Sequence, residues 1–151
     1  MRTVKEADER KNEILDAADK LFGQKGFDGT TTNDILEKVG IARGTLYYHF
    51  KSKEDILDAL IERYNIRLLN AAKESLPINE RILRVIMALN ISHEGGREII
   101  EQMHRPQNAL MHQKTQKVIL NGVTPILAEI IKEGVEQGAF NTPFPYECME
   151  M

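Results

Sequence analysis

From Lys38 through Lys53 the chain carries four cations (Lys38, Arg43, Lys51 and Lys53), His49 and no carboxylate, although its net charge is −3. The positive charge is therefore local, and it coincides with the densest set of contact-making side chains in the sequence. Within ARGTLYYHFKSKE, Arg43, Thr45, Tyr47, Tyr48, His49, Lys51 and Lys53 surround a thin apolar seam of Leu46 and Phe50. On a helix, positions 43, 47 and 50/51 lie on or near one face, with 44 and 48 adjoining it, so Arg43 and Tyr47 can reach into a major groove together. Arginine is the usual bidentate partner of guanine, whereas hydroxyls and lysine bind phosphate oxygens. Gly44 weakens such a helix by about 1 kcal/mol against alanine, but it removes a side chain where a DNA backbone or base must come close. These residue types at this spacing point to nucleic-acid contact.

Other candidate chemistry is thinner. His93, His104 and His112 have no HxxxH or HExxH spacing, so no metal is expected. No nucleophile triad, paired-carboxylate site or phosphate-cradling glycine loop is present, which leaves an enzyme nothing to work with and implies no cofactor. Tyr64, Met87, Met103 and Met111 fit an adaptable apolar pocket for a small effector as well as they fit a plain core. The region that holds them has no cluster of Arg or Lys suited to a polyanion, so a mainly apolar or aromatic effector is expected.

The elements that must position these residues read as helical nearly throughout. Ile14, Leu15, Ala18, Leu21 and Phe22 predict a first helix over roughly Glu9 to Gln24, after which Phe27 folds back on its apolar face. Thr31 and Asp34 have capping-box spacing ahead of a short second helix that Gly40 stops. Leu46, Tyr47 and Phe50 mark a third helix from about Ala42. Ser52 and Asp55 repeat the capping spacing before a long fourth helix that runs to about Ser75, since Pro77 ends it. Two short helices joined by a glycine turn and packed on a first follow the helix-turn-helix plan. Residues 82 to 91, ILRVIMALNI, are apolar all round and predict a helix buried on most sides. A short helix is expected over Arg97 to His104, and apolar doublets from Val118 to Val135 predict a last one, with Pro125 as the place to kink.

Length and composition bound the rest. The 151 residues, 42% hydrophobic and 28% charged, suffice for one ordinary domain or two small ones and are too hydrophobic for a disordered acidic tail. One cysteine, Cys148, excludes an internal disulfide and fits a reducing, cytoplasmic location. The longest apolar run, Val85 to Leu89, is far short of the ~20 residues that span a bilayer, so no membrane partner is expected.

Residues 10 to 57, above all TTNDILEKVGIARGTLYYHFKSKEDIL, resemble the DNA-binding domain of the TetR (tetracycline-repressor-like) family of transcriptional regulators, without gaps. EGVEQGAF at 133 to 140 resembles the end of that family's seventh helix. The resemblance implies an all-α protein, with an N-terminal helix-turn-helix domain (1–52) joined by a long helix to a helical effector-binding and dimerisation domain (53–151). It implies a homodimer on a palindromic double-stranded operator, most often a repressor, released by a small-molecule effector. It also implies that Asn33, Arg43, Gly44 and Tyr47 face bases while Thr32, Thr45, Tyr48, His49 and Lys53 grip the backbone. Plainer readings stand beside these: Tyr47 as a plug of the three-helix core, Arg43 as a solvated helix residue, Asn33 as a cap. A helix-turn-helix interaction module without DNA affinity is the alternative function. Tyr146 to Met151 reads as the first turn of an eighth helix, so the C-terminal dimerisation helices are expected to be missing and the natural protein to be longer.

Overall fold

A computed structural model of the chain describes residues 4–89 and 108–145, and every regular element among them is helical. In order these are α1 (Val4–Lys25), α2 (Thr32–Val39), α3 (Arg43–His49), α4 (Lys53–Ala72), α5 (Ile78–Leu89), α6 (Ala109–Val118), a π turn (Ile119–Val123) and α7 (Thr124–Glu136). The chain divides into two compact units, residues 1–60 with 92–112 and residues 61–91 with 113–151. The expected boundary at 52/53 is the start of α4. The short helix expected over 97 to 104 lies outside the described residues, as do Met103, His93, His104 and Cys148.

In the first unit α1 begins earlier than its apolar pattern does. The residues ahead of Ile14 are mostly Lys, Glu, Arg and Ala, which favour a helix whether or not they face a core. Ile14, Leu15, Ala18, Leu21 and Phe22 are buried, as are Ile35 of α2, Leu46 of α3, Phe50 at its C-terminal cap, and Ile56, Leu57 and Leu60 of α4. Phe27 folds back as expected, its ring edge-on to Phe22 with centroids 5.3 Å apart. Both predicted N-terminal signals form. The Thr31 hydroxyl accepts from the Asp34 N–H at 3.1 Å, and the Thr31 N–H donates to the Asp34 carboxylate at 2.7 Å. At α4 the Asp55 N–H donates to Ser52 Oγ at 3.1 Å, but the Asp55 carboxylate takes the Lys51 N–H.

One feature of this unit has no local signal. Asn108, just ahead of α6, is 1% exposed, and its Oδ1 accepts the Phe27 N–H at 2.9 Å across 81 residues of chain. Gly26, in the left-handed region at φ 77°, makes room for it, because a methyl group there would lie 2.7 Å from the Asn108 amide nitrogen.

The second unit packs Val85 and Ile78 of α5 on Val123, Leu127 and Ile130, with Leu68, Ala71 and Ala72 of α4 in the same core. Arg81 of α5 forms an ion pair with Glu133 of α7. Where a kink is expected at Pro125, the α-helix is interrupted by the π turn Ile119–Val123, and α7 starts at Thr124. That proline has no N–H for the carbonyl four residues back, and its ring crowds that carbonyl; the wider π turn relieves both. Past α7, Phe140 folds back over the helix, its N–H bonded to the Gly134 carbonyl at 3.1 Å.

The expectation for 82 to 91 needs correction. Among the described residues of α5 only one stripe is buried, whereas Leu83, Ile86 and Met87 are half or more exposed. An all-round apolar pattern says what burial would favour; α7 and α4 supply a neighbour to one side only.

The buried amide makes a direct prediction. Asn108→Ala leaves the Phe27 N–H without its acceptor and should cost about 1–3 kcal/mol in urea denaturation. A loss under about 0.5 kcal/mol would mean that this bond contributes little to stability.

Candidate nucleic-acid interface

The first unit places the contact-forming residues at the starts of α2 and α3 and along the outer side of α3. Thr31 caps α2, so Thr32 and Asn33 occupy its first turn, Thr32 half-buried and Asn33 exposed. Gly40, at φ 72°, ends α2, and Ile41 and Ala42 carry the chain into α3. Leu46 and Phe50 bury the inner face of α3, which turns Arg43, Gly44, Tyr47 and Tyr48 outward.

Tyr47 is 45% exposed and Tyr48 75% exposed. A core plug would be closed to solvent, so the plainer reading of Tyr47 is set aside. Thr45 and His49 are half-buried, and the His49 ring meets the Tyr48 ring edge-on at 5.0 Å. Nothing lies within 4 Å of where a Gly44 Cβ would stand. The fold of the free chain therefore makes no demand for glycine there, and the helix loses stability by having it.

Arg43 and Asn33 are in contact. The guanidinium Nη2 donates to the Asn33 side-chain carbonyl at 2.8 Å, joining the first turns of the two helices. Asn33 is thus not the cap of α2, a role that Thr31 fills.

Lys53 has a second occupation that its sequence position did not reveal. Its Nζ donates to the carbonyls of Phe27 at 2.6 Å and Thr30 at 2.8 Å, and stands 4.2 Å from the centroid of the Phe27 ring. Burial pushes its pKa below the ordinary lysine value, with Asp28 and Glu54 pulling it back up. The side chain ties α4 to the turn ahead of α2, and part of its donor capacity is already spent there.

Asp34 holds α2 from the other direction. It accepts from Lys25 Nζ at 2.8 Å and from Thr31, and these bonds lower its pKa from 3.8 to about 2. Lys25 and Thr31 together keep its charge occupied beside the positive surface of α3.

Of the residues expected in an effector pocket, Tyr64 is half-buried on α4, Met111 is buried near the start of α6 and Met87 is 61% exposed. Among the described residues no group of three or more His, Cys, Asp and Glu could hold a metal ion. No helix among them is long and apolar enough to cross a membrane.

A solvent-facing helix bearing Arg, Gly and two Tyr, held against a capped second helix by an apolar seam, defines a helix-turn-helix DNA-binding protein. The comparisons agree. Residues 14–60 match "Bacterial regulatory proteins, tetR family", and residues 91–151 match "Tetracyclin repressor-like, C-terminal domain". The HTH-type transcriptional repressor KstR2 of Mycolicibacterium smegmatis is 31% identical over 147 residues, covering 87% of this chain and 67% of that protein. The fatty acid metabolism regulator protein of Bacillus subtilis is 29% identical over 132 residues, covering 83% of this chain and 68% of that protein. Among solved structures, FadR of Bacillus subtilis in complex with stearoyl-CoA superposes with a TM-score of 0.64 at 26% identity, covering 91% of this chain and 77% of that one. The chain belongs to the TetR family of bacterial transcriptional regulators. It is a sequence-specific DNA-binding regulator.

The depressed Asp34 pKa sets an acid dependence. Because the folded value lies below 3.8, the stability it contributes is complete above that pH and is lost as pH falls toward about 2. The difference in melting temperature between the wild type and Asp34→Asn should therefore shrink across that window. A difference that stays constant down to the lowest pH would show that the carboxylate charge adds nothing to the cap.

Proposed function

We propose that the chain acts as a ligand-responsive repressor that reads a palindromic operator as a homodimer, with Arg43 and Tyr47 facing base edges. The observation that supports this reading most is the outward cluster of Arg43, Gly44, Tyr47 and Tyr48, which α3 keeps exposed at a cost in helix stability. Thr45 and His49, on the flanks of α3, and Thr32, at the start of α2, are suited to phosphate oxygens. Lys53 adds a weaker contact there, because its ammonium is shared with the Phe27 and Thr30 carbonyls. One recognition helix per chain reads a half-site, so two chains spaced by about 34–36 Å read the whole operator.

The effector is a mainly apolar small molecule, and long-chain acyl compounds are the first to test. Two similarities support this choice: the Bacillus subtilis relative named for fatty acid metabolism, and the solved FadR complex with stearoyl-CoA. An effector releases the operator by binding better to the conformation in which the recognition helices are wrongly spaced, and only by that differential affinity.

Three outcomes test these assignments. Arg43→Ala should lose about 1–3 kcal/mol of discrimination between operator and random duplex in a competition titration. Retained discrimination would remove Arg43 from base reading. Gly44→Ala should raise thermal stability by up to about 1 kcal/mol while weakening operator binding; a variant that is more stable and binds equally well would show that nothing approaches that position closely. For the effector, saturating acyl compounds at ~100 times their Kd should stabilise the protein by about 2.7 kcal/mol. A screen in which only small, highly charged metabolites shift the melting temperature would overturn the apolar assignment.

A further inference from the structure

Asn33 and Arg43 are both assigned to bases by family position, yet the structure joins them to each other. We propose that Asn33 is a positioning residue: its side-chain carbonyl holds the Arg43 guanidinium in the orientation that reads a base pair, and Asn33 reads none itself. The proposal rests on the reading of α3 as the base-reading helix and deepens it.

Geometry carries the argument. Asn33 lies in the first turn of α2 and Arg43 in the first turn of α3, on either side of the turn formed by Gly40, Ile41 and Ala42. The 2.8 Å bond from Nη2 to Oδ1 bridges that turn between two exposed side chains. An asparagine reads adenine by presenting its carbonyl and amide N–H side by side to the base edge. With Oδ1 turned to Arg43, Asn33 does not present that pair. Arg43 loses far less, because a guanidinium carries several N–H donors in a fixed fork and one bond to Asn33 leaves others for guanine. A long, unbranched side chain held in place before DNA arrives also has less rotamer freedom to surrender on binding.

The residue type at 33 fits the same role. Asparagine is a neutral acceptor, so it fixes the guanidinium without cancelling its charge on a surface that must approach phosphates. The neighbouring carboxylate, Asp34, is engaged by Lys25 and by Thr31. An aspartate at 33 would hold Arg43 at least as firmly but would set a negative charge on the DNA-facing side, where the duplex repels it.

The experiment selects preferred sequences from a pool of random DNA duplexes with the full-length chain, as wild type, Asn33→Ala, Arg43→Ala, the double variant and Asn33→Asp. Asn33→Ala should lose preference at the same base pair as Arg43→Ala, by about tenfold. Its affinity for unselected duplex should stay near wild type, and the double variant should discriminate no worse than Arg43→Ala alone. Asn33→Asp should keep the wild-type base preference while binding all duplexes more weakly, most of all at low salt. The proposal is overturned if Asn33→Ala relaxes a base pair that Arg43→Ala leaves intact, if the two losses add in full, or if Asn33→Asp also loses the base preference. An Arg43→Ala protein that keeps every wild-type preference overturns it too; there the fault lies in the underlying reading of α3, since that arm leaves Asn33 untouched.

Discussion

Much of the first unit depends on the turn from Gly26 to Thr30, because four hydrogen bonds with side chains converge on its backbone and two further contacts hold the Phe27 ring. The Phe27 N–H goes to the Asn108 side chain, and the Phe27 and Thr30 carbonyls receive the Lys53 ammonium. The buried Thr30 hydroxyl donates to the Gly26 carbonyl at 2.7 Å, closing the turn on itself. The Phe27 ring packs edge-on against Phe22 of α1 on one side and receives the Lys53 cation on the other. A turn so enclosed must satisfy its backbone groups internally, since each one left unpaired costs on the order of 1–3 kcal/mol. Its partners come from distant parts of the chain.

This arrangement bears on how the recognition helix is held. Lys53 is the first residue of α4 and Asn108 immediately precedes α6, so both helices begin on that one turn. The turn leads directly into the Thr31 cap of α2, and α2 leads through Gly40 into α3. The position of α3 is thus set from behind by hydrogen bonds and from below by the buried Leu46 and Phe50. The outer surface of α3 is left to carry only contact chemistry. Its glycine, at a position where the chain's own packing asks for none, belongs to the same division of labour.

Much of this was legible in the residues alone. The caps at Thr31 and Ser52, the return of Phe27 and the interruption near Pro125 follow from contacts within a few residues, which local spacing reports well. The outward set on α3 was legible for a similar reason, since one turn of periodicity separates Leu46 and Phe50 from Arg43 and Tyr47. Asn108 was not. A polar residue just ahead of a helix reads as an ordinary cap, and nothing near it shows that its acceptor serves a turn 81 residues earlier. Lys53 was read for its charge alone, because a lysine at a helix start looks the same whether its ammonium meets a phosphate or two carbonyls. Along α5 the apolar pattern overstated burial, since Leu83, Ile86 and Met87 remain open among the described residues.

What the residues determined by themselves was the helical period, the capping chemistry and the local concentration of positive charge, all properties of neighbours along the chain. That is enough to define the helix-turn-helix and the outward, acid-free side of its third helix. Tertiary structure decided which polar groups are spent inside the protein. Lys53 and Asn108 serve the Phe27 turn, and Asn33 turns its carbonyl to Arg43, because a backbone group or a cation takes the partner that folding brings within about 3 Å, whatever the distance along the sequence. It also decided which face of α5 is covered, because burial requires a neighbour as well as an apolar side chain.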